Sequence, residues 1–144
     1  GTTNRDEGSY IGFYGKASDG MVDLQPIADI HKSEVYQVAK ALGVPEEILA
    51  AVPSGDVWDG KSDTEMIGAP YWFIETYLQM KEYGFDKDVR IADEADRQSF
   101  ERWAANIEAK HRLNTHKYRV GSPAHFIDCM PRVVPGGWSL ENAR

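Results

Sequence analysis

Cysteine is almost absent from this 144-residue sequence: Cys129 stands alone, so no internal disulfide can form. Its place in the apolar run Phe126-Ile127-Asp128-Cys129-Met130 points to a packed thiol more than a nucleophile, and a reducing, cytoplasmic setting fits best. Long apolar runs are missing too. No stretch approaches the roughly 20 residues that span a bilayer. The polar opening Gly1-Thr2-Thr3-Asn4-Arg5-Asp6 lacks the apolar core of a signal peptide, so no membrane partner is expected. There is no excess of positive charge: 16 Lys and Arg against 23 Asp and Glu leave a formal net charge of -7, which argues against nucleic acid as a partner. His31, His111, His116 and His125 show neither a His-Glu-x-x-His spacing nor nearby Cys ligands, giving a zinc site little support. Asp56, Asp59 and Asp63 lack the alternating carboxylates and closing Glu of a calcium loop and read as structural. Repeats and low-complexity tracts are also lacking. What remains is ordinary globular composition, 42% hydrophobic and 27% charged, enough for one modest domain.

The first thirty residues are dense in Gly and Asp and read as loop, with a short strand expected at Met21 to Leu24. From near Asp29 or His31 the pattern changes. Val35, Val38, Ala39 and Leu42 recur at three- and four-residue steps before Gly43, which predicts an amphipathic helix. Pro45 suits the first position of a second, short helix carrying Glu46 and Glu47 in its opening turn. After the loop from Pro53 to Lys61, Ser62-Asp63-Thr64-Glu65 has the spacing of a capping box and starts a short helix before Gly68. Pro70 opens another, ended by Gly84. A long helix is expected from about Asp93 to Leu113, with Phe100, Trp103, Ala104, Ile107 and His111 on one face. Pro123, Pro131, Pro135 and Gly136-Gly137 leave an irregular tail.

Chemistry-bearing residues gather in the loops. Gly1 to Gly8 offers glycines for close backbone approach, the Thr2 hydroxyl, and Glu7 as a carboxylate able to hold Mg²⁺; a plain polar loop accounts for the same composition. Lys16 and Asp23 bracket a second loop with a point charge and an acceptor, or are simply solvated. Lys32 stands at a helix start, where the dipole already favours anions, so a shared anion between cation and helix is one reading. Ser54 beside Gly55 can face a phosphate or form a turn. His116 and Lys117 close a basic run with Arg112 and Arg119 that can also answer the dipole of its own helix.

The order and spacing of these pieces resemble the synthetase domain of NAD⁺ synthetases, members of the pyrophosphate-loop ATPase superfamily. The likeness covers Gly1 to about Asp128. It rests on Gly1-Thr2-Thr3-Asn4-Arg5-Asp6-Glu7, on Asp19-Gly20-Met21-Val22-Asp23-Leu24-Gln25-Pro26 leading to Lys32, on Pro53-Ser54-Gly55-Asp56-Val57-Trp58 with Ser62-Asp63-Thr64-Glu65, and on Thr115-His116-Lys117. The resemblance implies an α/β, Rossmann-like adenine-nucleotide alpha-hydrolase fold, of which residues 1–128 are the mainly helical C-terminal portion, with 129–144 an irregular tail. It also implies ATP-dependent amidation of deamido-NAD⁺ with Mg²⁺, with ammonia or glutamine as nitrogen donor, in a homodimer. By position, Thr2, Lys32 and Ser54 match ATP contacts, Glu7 a Mg²⁺ ligand, and Lys16, Asp23, His116 and Lys117 deamido-NAD⁺ contacts. The family's Ser-Gly-Gly-x-Asp-Ser loop is not in the sequence, so this portion is expected to be inactive alone. Two alternatives stay open: another pyrophosphate-loop amidating or thiolating enzyme, and a non-catalytic nucleotide-binding helical module.

Overall fold

A computed structural model describes residues 1–55 and 60–118. The placements expected for Asp56, Trp58, Asp59, Arg119, His125, Cys129 and the tail lie outside the described residues. The elements are a π-helical turn at Asp6–Ile11, α1 at Lys32–Ala41, α2 at Glu46–Leu49, α3 at Asp63–Ile67, α4 at Tyr71–Glu82, α5 at Glu94–Asn114, and a 3-10 turn at Thr115–Tyr118. Among the described residues no helix is long and apolar enough to cross a membrane.

Most helix ends follow from local chemistry. The Ser62 hydroxyl accepts from the Glu65 amide at 3.3 Å while Glu65 Oε2 accepts from the Ser62 amide at 2.8 Å, so the expected capping box opens α3. Asp93 caps α5 through the Asp96 amide at 3.0 Å. Pro45 sits one residue earlier than expected, in the position that caps α2. Two expectations fail. Met21 to Leu24 is bend and irregular chain, not strand. A strand needs a partner ladder; here Leu24 O accepts from the Gly1 amino group at 2.7 Å, and Met21 and Leu24 are exposed. Residues 6–11, read as loop, wind into the π-helical turn because Asn4 closes it: the Asn4 side chain accepts from the Glu7 amide at 3.1 Å and its carbonyl from Gly8 at 2.9 Å.

The core lies where α4, α5 and the π-helical turn meet. Ile11, Ile67, Phe73, Ile74, Tyr77, Leu78 and Ile107 are buried together. Phe73 packs edge-on against Phe100, centroids 5.3 Å apart, and tilted against Trp103 at 5.1 Å. His111 joins this face as expected, stacked on Tyr10 at 3.9 Å. Glu108 gathers the three elements: it accepts from Tyr10 at 2.9 Å, Tyr77 at 2.9 Å and Lys81 at 2.8 Å. Helix α1 has the expected period but buries no residue fully, leaving Val38 and Leu42 exposed.

Candidate functional site

Two polar clusters form where loops return to the helical core. The first joins the N-terminal segment to the start of α1. Asp6 is fully buried, with Oδ1 2.6 Å from His31 Nδ1 and Oδ2 accepting from the Lys32 amide at 2.6 Å. Burial raises the Asp6 pKa, and the hydrogen bonds from His31 and Lys32 partly counter it. The anion expected at this helix start is therefore supplied by the chain itself, as Asp6 satisfies the first free amide of α1.

Glu7, the next residue, turns its carboxylate toward α1 and α4. Its Oε1 accepts from the Tyr71 hydroxyl at 2.6 Å and lies 3.4 Å from Lys32 Nζ. Oε2 meets the Asn4 amide at 3.4 Å. The Tyr71 hydroxyl also lies 3.2 Å from Asp63 Oδ2, and Lys32 Nζ sits 5.0 Å above the Tyr71 ring. Burial, then the Glu7 charge, push the Tyr71 pKa far up, so the phenol stays a donor. The side chains of Lys32 and Glu7 keep 21% and 13% of their surface exposed, so this pair has an open side.

Asp6, His31 and Glu75 bring three possible ligand atoms within 4.8 Å of one another. Both Asp6 oxygens are engaged, and Glu75 Oε1 accepts from Ser33 at 2.8 Å, so the contacts the trio makes are those of a helix-start network. Glu7 has the freer oxygen: Oε2 carries only the long Asn4 contact among the described residues, and a carboxylate oxygen is a hard donor of the kind Mg²⁺ takes.

The second cluster surrounds a cleft of about 810 Å³ lined by Phe13, Tyr14, Gly15, Ser18, Asp19, Gly55 and Lys117. Lys117 Nζ donates to Gly12 O at 2.7 Å and Tyr14 O at 2.6 Å, clamping the 3-10 turn onto the glycine-rich loop. Burial and the nearby Lys110 charge lower its pKa. Lys16 Nζ donates to His116 O at 3.3 Å, and His116 Nδ1 lies 3.1 Å from Leu113 O. The basic run thus answers carbonyls of another segment as well as its own helix. Ser54 donates to Lys61 O at 3.3 Å beside the cleft residue Gly55.

The structure therefore brings Glu7 to Lys32, Lys16 to the His116 carbonyl, and Lys117 to the Gly12 and Tyr14 carbonyls. Thr2 and Asp23 are exposed, and among the described residues neither hydrogen-bonds to either cluster. The neighbouring Thr3 is buried, and its hydroxyl has no hydrogen-bond partner among the described residues. Asp6, His31, Asp63 and Tyr71 were not singled out as functional by sequence reasoning. Only the adjacency of Asp6 to Glu7 and of His31 to Lys32 hinted at the first two.

The model of the family described as NAD synthase matches residues 1–121. The NH3-dependent NAD⁺ synthetase of Alkaliphilus oremlandii is 40% identical over 99 residues, covering 69% of this chain and 39% of that protein. The same-named protein of Methanococcoides burtonii is 43% identical over 79 residues, 55% of this chain and 30% of its own length. The solved structure of NMN synthetase from Francisella tularensis superposes with a TM-score of 0.66 at 27% identity, covering 88% of this chain and 46% of that one. The chain thus spans less than half the length of each of these relatives, and its helices form part of the fold of that solved protein. From the match across both clusters, this chain belongs to the NAD synthase family.

Proposed function

We propose that this chain serves, within a longer protein, in the ATP-dependent amidation of deamido-NAD⁺ to NAD⁺. In this reaction a nicotinate carboxylate oxygen bonds to the α-phosphorus of ATP as pyrophosphate leaves, giving an adenylated intermediate. The ammonia lone pair then forms the C–N bond, AMP departs with the C–O electrons, and a proton is released. The protein's contribution is to hold two anionic substrates in line and to offset charge gathering at the α-phosphate.

The observation that carries this reading is the meeting of Glu7 and Lys32 across 3.4 Å, with an open side and with Tyr71 and Asp6 fixing their surroundings. In the proposal Glu7 holds Mg²⁺, which neutralises phosphate charge when bound, and Lys32 leaves its long contact with Glu7 to meet ATP phosphates. Thr2 and Ser54 add ATP contacts. Lys117, which lines the cleft, Lys16 and His116, next in sequence to the lining residues Gly15 and Lys117, and Asp23 on the first loop take deamido-NAD⁺, the cleft being large enough for part of a dinucleotide. A homodimer completes the reading. The exposed apolar side of α1 and α2, with Val38, Leu42 and Ile48, agrees with a chain that packs against further structure.

The test is pyrophosphate release by the complete protein with ATP, Mg²⁺ and ammonia. Deamido-NAD⁺ should be the acceptor used, and Glu7→Gln should lower the rate by at least about 10²-fold. Lys32→Ala should weaken ATP use far more than deamido-NAD⁺ use. Full activity of Glu7→Gln overturns the assignment. The likeness to an NMN synthetase favours one second reading, a mononucleotide acceptor, and preference for nicotinate mononucleotide over the dinucleotide in the same assay would establish it.

A further inference from the structure

We infer that Tyr71 is a positioning residue for Glu7, its hydroxyl holding one carboxylate oxygen so that the other faces a cation; this rests on the reading of Glu7 as a Mg²⁺ ligand. Three features of the first cluster converge on this one side chain. The hydroxyl reaches Glu7 Oε1 at 2.6 Å, and the same oxygen is 3.2 Å from Asp63 Oδ2 at the start of α3. The ring lies 5.0 Å beneath Lys32 Nζ. Tyr71 is also the first residue of α4, the helix that carries the core residues Phe73, Ile74, Tyr77 and Leu78, and it packs against that core, which sets its position.

One phenolic hydrogen faces two carboxylates, and the shorter contact assigns it to Glu7. With Oε1 so engaged, Oε2 is the oxygen left to present, since its contact with the Asn4 amide is long at 3.4 Å. A Glu side chain has three rotatable bonds, and fixing them before a cation arrives removes an ordering cost from binding. Asp63 supplies a second acceptor. Rotation about the phenolic C–O bond can hand the hydrogen to it when Glu7 turns further toward a cation, so the hydroxyl is never left unsatisfied. The ring meanwhile supports the ammonium of Lys32 through its face, keeping the two opposite charges on adjacent sides of one rigid group.

Tyr71→Phe separates this role from packing, because it removes the hydroxyl and keeps the ring and its face. The experiment measures ATP binding by the complete protein calorimetrically across a Mg²⁺ series, alongside turnover. Tyr71→Phe should raise the Mg²⁺ concentration for half-maximal ATP binding about tenfold, lower the rate at limiting Mg²⁺, and leave the KM for deamido-NAD⁺ unchanged, with excess Mg²⁺ restoring the rate. In a Glu7→Gln background the same substitution should add nothing, since the group it positions is gone. A Mg²⁺ dependence of Tyr71→Phe within twofold of the parent overturns the inference, as does an equal weakening in both backgrounds. Failure of the underlying reading looks different. A parent protein that binds MgATP with this coupling but makes no amide refutes the proposed reaction and leaves the Tyr71 role standing. Absence of Mg²⁺-dependent ATP binding by the parent refutes both.

Discussion

Asp6 shows how much one buried carboxylate can organise. It joins residues 25 apart, engages a ring nitrogen and a backbone amide, and holds the Glu7 segment against the Lys32 helix start. Its removal leaves the buried His31 ring and the half-buried Lys32 amide without this acceptor, so Asp6→Ala should cost about 3 kcal/mol in chemical denaturation. Asp6→Asn should cost about 1 kcal/mol, because an amide oxygen still accepts from Lys32 and a neutral group is easier to desolvate. Equal losses for the two variants would show that shape, not the acceptor, matters here. The sequence points to Glu7 and Lys32 as site residues, but gives Asp63 only a structural reading and Asp6 and Tyr71 no functional role. The selected residues sit in recognisable stretches. The others matter through pairings 8 to 64 positions apart in sequence, and no local pattern encodes those.

Among the elements, legibility follows how local the causes are. Helices α3 and α5 start where a short polar side chain meets an amide three residues on, and α4 starts after Pro70, so all three were readable. The turn at Asp6–Ile11 was not, since Gly8 and Ser9 speak for a loop, and the bonds by which Asn4 closes it come with packing against α4 and α5. Its exit at Gly12 has φ +66°, and a Cβ there would come within 2.7 Å of Asn114 Cβ. Gly43, after α1, has φ +75° with open space around it. Gly43→Ala should therefore cost only the left-handed penalty, about 1 kcal/mol. Gly12→Ala adds a clash with α5 that also pulls at the Asn114 bond to Ile11 O, 2.9 Å, and should cost at least about 3 kcal/mol. Comparable melting shifts for the two alanines would mean that the turn does not bear on α5 as described.

For the whole molecule, the mainly helical character was legible from periodicity, whereas the joining of its parts was not, because it runs through Glu108 and Lys117 over separations near 100 residues. Glu108 is the larger of these joints. Desolvation by itself would raise its pKa, yet the bonds from Lys81, Tyr77 and Tyr10 outweigh it and the pKa is lowered. Burial and the Glu108 contact lift the Tyr77 pKa to about 12, so that phenol remains a donor at any pH where the fold is of interest. A carboxylate with a folded pKa below its ordinary 4.5 contributes stability that is present above about pH 4.5 and is lost as pH falls through the folded value. Asp6 works in the opposite sense: with its pKa raised from 3.8, its ionisation costs stability at neutral pH, and protonation on acidification relieves that cost. Glu108→Gln isolates the first effect. With the side chain 28% exposed and its charge partly screened, the substitution should cost about 1–2 kcal/mol at pH 7. The difference from the parent should shrink as pH falls below about 4.5, because the parent then loses the same charge. Urea denaturation at pH 7 and in this acid range measures it; a gap that stays constant across the range would mean that Glu108 joins the three elements by packing alone.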